Sequence, residues 1–281
     1  MGSPTVDYAA STALVTGSTS GIGKAIAFEL VARGIGRLVV HGRNDEKLKK
    51  TIAELEQHQT AIKTRVQTEL RTVSSDLAKE DGAAKVQEQL EEWNWQVDIL
   101  VNNAGLAAKI DFVEDSRAVG TVTVMCRAVV DLSQRLLPGM IQRNSGGLLT
   151  IGSTAAFQPV PWTATYAASK AFVHSWSQAV RQEQLSAGSS VRVACIVPGI
   201  TKTMLDGEGL GERRGTLDLV GRHEPEDVAK AALDAYEQNS ANSIIGIGNK
   251  ILRLAEVAVP ASINAALVAK SRGSPEDDAR G

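Results

Sequence analysis

Short, almost wholly apolar runs rich in β-branched residues alternate along this chain with longer stretches whose apolar positions return every three or four residues. The short runs predict seven strands, at residues 13–16, 38–41, 71–74, 98–102, 147–151, 191–197 and 243–247. The longer stretches predict helices. Between residues 21 and 34 the side chains Ile22, Ile26, Leu30 and Val31 fall at helical spacing, and the stretch 44–58 opens on Asn44, whose side chain can cap a helix N-terminus.

Strands without polar alternation must be covered on both faces, and a repeating β-α order provides that cover through right-handed crossovers. The expected fold class is therefore α/β: a Rossmann-type, doubly wound, seven-stranded and mostly parallel sheet with helices on both faces. A chain of 281 residues fits one such domain, residues 1–281. Within it, residues 1–10 and 271–281 read as flexible tails. Residues 202–225, rich in Gly and charge, follow strand six at the end of the sheet where ligands bind, and are expected to form a substrate lid.

The first chemical signal follows strand one. In Thr16-Gly17-Ser18-Thr19-Ser20-Gly21-Ile22-Gly23 a glycine-rich turn runs straight into a helix. Glycines permit a tight turn and close backbone approach to a diphosphate, and the helix N-terminus offers free N–H groups and a favourable dipole. Glycines that merely allow tight strand-to-helix packing would look the same. Strand two ends in His41-Gly42-Arg43-Asn44, without the acidic residue that would accept bonds from the adenosine ribose of NAD. Arg43 suits the 2′-phosphate of NADP(H), since its planar fork can make two charge-assisted bonds. A solvated Arg43 paired with Asp45 or Glu46 is the alternative.

The second signal lies beyond strand five. Tyr166 and Lys170 stand four residues apart, on one face of a predicted helix, and Ser153 sits at the carboxyl end of its strand. A Tyr-x-x-x-Lys pair alone is commonplace on helices. A carbonyl gaining hydride, however, needs a hydrogen-bond donor at its oxygen and then a proton, and Ser153 and Tyr166 suit those tasks. A cation beside a phenol lowers its pKa from about 10 by roughly 1 to 3 units, and Lys170 is the candidate cation.

These elements, together with Asp76-Leu77 after strand three, Asn102-Asn103-Ala104-Gly105 after strand four and Pro198-Gly199 after strand six, occur in an order and spacing that resemble the short-chain dehydrogenase/reductase family over residues 13–247. The resemblance implies an NADP(H)-dependent oxidoreductase acting on a carbonyl or secondary alcohol, with Ser153, Tyr166 and Lys170 as catalytic residues. It also implies a cofactor site drawn from Gly17, Ser18, Ser20, Gly21, Ile22, Gly23, Arg43 and Asn44, then Asp76 and Leu77 beside the adenine. Further along it implies Asn103, Ala104 and Gly105 beside the cofactor, Lys170 on the nicotinamide ribose with Tyr166 beside it, and Pro198, Gly199, Thr201 and Thr203 at the nicotinamide.

The chain departs from the family pattern at one point. Counting back from Leu136-Leu137-Pro138-Gly139-Met140 places Met125 where members carry an asparagine whose backbone helps hold a proton-relay water. Methionine lacks an amide, although its carbonyl still serves if the helix keeps its kink. A non-redox relative, such as an isomerase, a cyclase or a nucleotide-sensing module, is therefore the alternative reading. The substrate, a small and fairly apolar carbonyl or alcohol, is expected between residues 155–160, the start of the helix at Trp162 and residues 204–215.

Composition narrows the rest. A net charge of −2, with both signs spread along the chain, provides no basic face for nucleic acid. The apolar stretch 251–269 is interrupted by Arg253, Glu256, Pro260 and Asn264, so no membrane span is expected, and packing on the core or a subunit is. His41, His58, His174 and His223 lack ligand spacing, so no metal site is expected. Cys126 and Cys195 lie in apolar stretches, and the first residues are not those of a signal peptide, which together suggest the cytoplasm. By resemblance, helices at 121–143 and 165–186 would join subunits into a homodimer or homotetramer.

Overall fold

The computed structural model describes residues 5–107, 109–201, 223–246, 249 and 261–272. Seven strands form one sheet: β1 (Thr12–Val15), β2 (Arg37–Gly42), β3 (Glu69–Ser74), β4 (Ile99–Asn102), β5 (Gly147–Ile151), β6 (Arg192–Val197) and β7 (Asn242–Ile244). Their order is β3-β2-β1-β4-β5-β6-β7, and every pair is parallel. β5 starts and stops where its apolar run does. β7 ends at Ile244, and residue 247, expected in it, lies outside the described residues.

The helices given by the described residues include α1 (Gly21–Ala32), α2 (Asp45–Ile62), α3 (Gly82–Glu92), α4 (Ala118–Val122), α5 (Ala128–Arg143), α6 (Ala164–Ser186), α7 (Pro225–Glu237) and α8 (Ala261–Arg272). A π-helical turn, Thr123–Arg127, joins α4 to α5. Asn44 caps α2 as expected, its side-chain oxygen accepting the Lys47 N–H at 2.9 Å.

The period-two pleat explains why the strands are apolar on both sides. On one face Ala13, Val15, Leu38, Val40, Ile99, Val101, Leu149 and Ile151 pack with Ile26 and Leu30 of α1 and Leu233 and Tyr236 of α7. On the other, Leu14, Val39, Leu100, Leu148 and Val193 meet Val86 and Leu90 of α3 and Leu132 of α5, with Trp176 and Val180 of α6 packed against that cluster. Two cores thus clamp one sheet. Connections leave β1 toward β2 on one side and β4 toward β5 on the other, so a crevice opens between the carboxyl ends of β1 and β4.

The ends of the chain differ from the expected tails. Tyr8 is buried in the first core and its hydroxyl donates to Glu237 at 3.0 Å, which ties the segment before β1 to α7. α8 continues to Arg272, two residues into the second expected tail, and its Ile263 and Leu267 are exposed. Residues 273–281 lie outside the described part, as do residues 251–260 of the apolar stretch and residues 202–222 of the expected lid. The lid's stated end falls inside structure instead: His223 bridges to Thr201 and Pro225 starts α7. Among the described residues no helix is long and apolar enough to cross a membrane.

Candidate active site

Two loops meet at the crevice because hydroxyl and amide groups tie them together. Thr16 Oγ1 donates to the Val101 carbonyl at 3.1 Å and accepts the N–H groups of Asn103 and Ala104 at 3.0 and 3.1 Å. The Asn103 amide donates back to the carbonyls of Thr16, at 2.8 Å, and Gly17, at 3.2 Å. Two glycines of the turn then have no room for a side chain. Gly17 has φ +64°, and a Cβ there would lie 2.9 Å from the Ala104 Cα; at Gly23 it would strike the Asn103 amide. The glycines therefore keep a bare backbone surface at the start of α1.

That cradle fits a dinucleotide. Ser20 precedes α1 without a side-chain cap, so the first N–H groups of this twelve-residue helix are left for another acceptor. Gly21, at φ +54°, and the half-buried Ile22 begin the helix. Ser18 is turned inward: it is fully buried and its hydroxyl is hydrogen-bonded to the carbonyls of Val15, at 2.9 Å, and His41, at 3.3 Å. Arg43 is exposed, and among the described residues its guanidinium has no ion-pair partner, Asp45 and Glu46 included. On the neighbouring loop, Asp76 accepts the Ala78 N–H at 3.0 Å and Leu77 is buried in the second core.

The catalytic candidates come together at the end of β5. Ser153 is buried in extended backbone and its Oγ accepts the Ala155 N–H at 3.2 Å, starting a short 3-10 turn, Thr154–Phe157. Lys170 reaches from α6 to donate to the Ile151 carbonyl at 2.6 Å, two residues before Ser153. Tyr166, one turn earlier on the same face, has its ring centroid 5.7 Å from the Lys170 Nζ. Burial lowers the Lys170 pKa to about 8, with nearby Cys195 and Cys126 opposing the shift. The same burial pushes Cys195 up to about 11 and raises Cys126, so both thiols stay neutral beside the ammonium.

After β6, the buried Pro198 carbonyl accepts the Thr154 N–H at 3.1 Å. Gly199 presses on Asn249, leaving no room for a Cβ, and Thr201 is buried with its hydroxyl donating to the Gly199 carbonyl at 3.2 Å. Thr203 lies outside the described residues.

Beside Tyr166 a shallow recess is lined by Leu106, Ile110, Phe112, Thr121 and Trp162 among others. Trp162, one part of the expected substrate wall, lines it together with the loop after β4. Trp162 also precedes α6 rather than starting it. Its backbone is left-handed, φ +60°, and its carbonyl accepts the Ile110 N–H at 2.9 Å, which pins the strained turn to the loop it faces. Residues 204–215 are not among those described.

Met125 sits within the π turn, buried at 2% exposure in the second core, its sulfur 3.7 Å from where a Cβ on Gly105 would stand. The side chain is thus packing material, while the irregular helix around it persists. Sequence reasoning passed over three residues that organise the site: Thr16, His41 and Asn249. Thr16 opens the glycine-rich turn and was readable there; the other two show no local pattern.

Comparison with known proteins agrees with this geometry. Residues 11–211 match the family model described as short chain dehydrogenase. A relative from Staphylococcus saprophyticus, named only as an uncharacterised oxidoreductase, is 31% identical over 230 residues, covering 81% of this chain and 92% of its own. Among solved structures, a short-chain dehydrogenase from Sphingobium yanoikuyae in complex with NADPH superposes with a TM-score of 0.73 at 26% identity, covering 88% of this chain and 93% of its own. A 3-ketoacyl-(acyl-carrier-protein) reductase from Brucella melitensis complexed with NADH gives 0.71 at 25%, covering 85% and 98%. With the parallel seven-stranded sheet, the glycine cradle and the Ser153, Tyr166 and Lys170 constellation, this match shows that the chain belongs to the short-chain dehydrogenase/reductase family of nicotinamide-dependent oxidoreductases.

Proposed function

We propose that this protein is an NADP(H)-dependent carbonyl reductase, working in reverse as an alcohol dehydrogenase, on a small and fairly apolar substrate. The observation that supports this reading is the docking of α6 on the end of β5, where Lys170 bonds the Ile151 carbonyl two residues before Ser153 and Tyr166, beside Lys170, lines a recess with Leu106, Ile110, Phe112 and Trp162. When bound, the nicotinamide supplies or accepts the hydride. Tyr166 gives a proton to the carbonyl oxygen, Ser153 donates a hydrogen bond to it, and Lys170 supports the phenolate and holds the nicotinamide ribose.

NADP(H) is favoured by Arg43, exposed and without an ion-pair partner among the described residues at the end of β2, and by the neutrality of Gly42 and Asn44 beside it. Gly17, Ser20, Gly21, Ile22 and Gly23 would receive the diphosphate, and Asp76 and Leu77 the adenine. The NADPH and NADH of the two related structures leave the preference to this chain's own residues. Charge-assisted bonds to a 2′-phosphate contribute about 1.5 to 3 kcal/mol, so Arg43→Asp should raise the Kd for NADPH roughly 10- to 100-fold while that for NADH stays within about 3-fold. Wild-type protein binding NADH as tightly as NADPH would overturn the preference.

Met125 favoured a non-redox or sensing role in the sequence, but the retained π turn speaks for redox chemistry. Such a turn leaves a backbone carbonyl outside the helical ladder, which is what a relay water needs. Single-turnover mixing of the NADPH-loaded protein with a panel of ketones and aldehydes tests the proposal through loss of reduced-nicotinamide absorbance. Stoichiometric loss with one or more compounds is expected. Firm NADPH binding with no loss across the panel would favour the sensing role.

We also expect a cytoplasmic homodimer or homotetramer. Exposed Val119 and Val122 on α4 and Phe172 on α6 support self-association, and the free thiols Cys126 and Cys195 suit a reducing compartment.

A further inference from the structure

His41 is the penultimate residue of β2, and its ring is buried, 3% exposed, behind the glycine-rich turn. Its Nδ1 accepts the Gly17 N–H at 3.3 Å, and its Nε2 lies 3.0 Å from Ser75 Oγ. Ser75 in turn donates its hydroxyl proton to the Gly82 carbonyl at 3.1 Å. The direction of each bond follows. Gly17 can only donate, so Nδ1 carries no proton; the Ser75 proton is committed to Gly82, so Nε2 must donate. The ring is therefore neutral with its proton on Nε2, and burial agrees, holding its pKa down at about 4 against the opposing pull of Ser75 and Asp76.

The backbone repeats the attachment. Ser18 N–H donates to the His41 carbonyl at 3.0 Å, and the His41 N–H donates to Ser18 Oγ at 3.0 Å. Gly82, at the other end of the relay, begins α3 and packs so tightly under the Asp76 carbonyl that a Cβ would collide with it. One imidazole thus links the glycine-rich turn, the end of β2 and the loop carrying Asp76 and Leu77.

We propose that His41 is a positioning residue for the dinucleotide: it touches no substrate atom, but fixes the Gly17 backbone and, through Ser75, the Asp76–Leu77 loop, so that both walls of the adenosine-diphosphate site stand preformed. The inference rests on the glycine-rich turn being the cofactor site. Its signature is a loss of binding rather than of chemistry, because preorganisation of the cradle is what the ring provides.

The test compares three variants by dinucleotide fluorescence titration, steady-state kinetics and thermal unfolding. His41→Leu fills the space without polar atoms and should weaken NADPH and NADH alike by about 10-fold or more, with kcat at saturating cofactor within about 3-fold of wild type. His41→Asn puts its Oδ1 near the Nδ1 position, keeps the Gly17 bond and should recover binding to within about 3-fold of wild type. His41→Gln reaches Ser75 but not Gly17, so it keeps only the link toward the Asp76–Leu77 loop and should bind several-fold more weakly than the asparagine variant, whose Gly17 backbone meets the diphosphate directly. Equal Kd values for the asparagine and glutamine variants, or a Kd that merely tracks melting temperature across the set, would overturn the assignment.

Should the leucine variant fail to fold, the asparagine and glutamine pair still decides, and a 15N–1H correlation of the wild-type ring showing a proton on Nδ1 would overturn it independently. A wild-type protein that binds neither dinucleotide would bring down the cofactor reading and this inference together. A binding wild type matched by His41→Leu would bring down this inference alone.

Discussion

Replacing Tyr166 by phenylalanine is expected to lower kcat for carbonyl reduction about 1000-fold or more, while the NADPH Kd stays within about 3-fold of wild type. The substitution removes one oxygen and keeps the ring, which packs against the second core from the first turns of α6. Packing is therefore preserved, and the melting temperature should move by no more than a few degrees. Only the proton delivered to the substrate oxygen is lost, and general acids of this kind contribute between about 100- and 10,000-fold. Rapid-mixing kinetics with an active ketone, run beside a fluorescence titration of NADPH, separates the two quantities. Turnover above about a tenth of wild type would remove Tyr166 as the acid, and a parallel collapse in NADPH affinity would show that the phenol acts in binding instead.

How far such a site could be read in advance depended on whether its parts are local. The strands were legible because a fully covered parallel strand shows as an unbroken apolar run, and the run at Gly147–Ile151 coincides with β5 itself. The Asn44 cap, the glycine-rich turn and the Tyr166/Lys170 spacing are likewise patterns within a few residues. His41 was not legible, since its partners are Gly17, Ser75 and, through Ser75, Gly82, positions far from it along the chain. The loop after β4 was not legible for the same reason: from Leu106 to Asp115 it has no period, and its Ile110 N–H is bonded to the Trp162 carbonyl, far along the chain. Tyr8 shows the converse, an aromatic in a polar leader whose burial depends on α7, more than 200 residues later.

Met125 marks the boundary between residue identity and backbone shape. Read as a side chain it breaks the family pattern; read as backbone it does not, because the π turn is set by the whole run from α4 into α5. The thioether fills space against Gly105 that an amide would have to fill while finding hydrogen-bond partners of its own. Loss of the amide thus removes a buried polar group from the core without straightening the helix.

Lys170→Met should be about as damaging to turnover as the loss of Tyr166, yet should not destabilise the protein at neutral pH. A buried ammonium is disfavoured by desolvation, and in the folded chain its pKa falls from 10.5 to about 8. Between those two values this amine binds more protons in the unfolded chain than in the folded one, so its own contribution to wild-type stability rises with pH across the window. The penalty is complete below pH about 8 and gone above about 10.5; its size is on the order of 3 kcal/mol. The raised Cys195 and Cys126 thiols act in the opposite sense, because unfolded thiols ionise first, but both proteins carry them and their contribution cancels from the comparison. Methionine has no such penalty, but leaves the Ile151 carbonyl without its 2.6 Å donor, a loss of about 1 to 3 kcal/mol that offsets the gain. Urea denaturation at a series of pH values should therefore find the two proteins of similar stability near pH 7, with wild type gaining on the variant as pH rises toward 10. Parallel curves would mean that Lys170 keeps its ordinary pKa in the fold. A variant that is inactive, sound at neutral pH and overtaken only in alkali would identify Lys170 as a cation retained for chemistry at the expense of the fold.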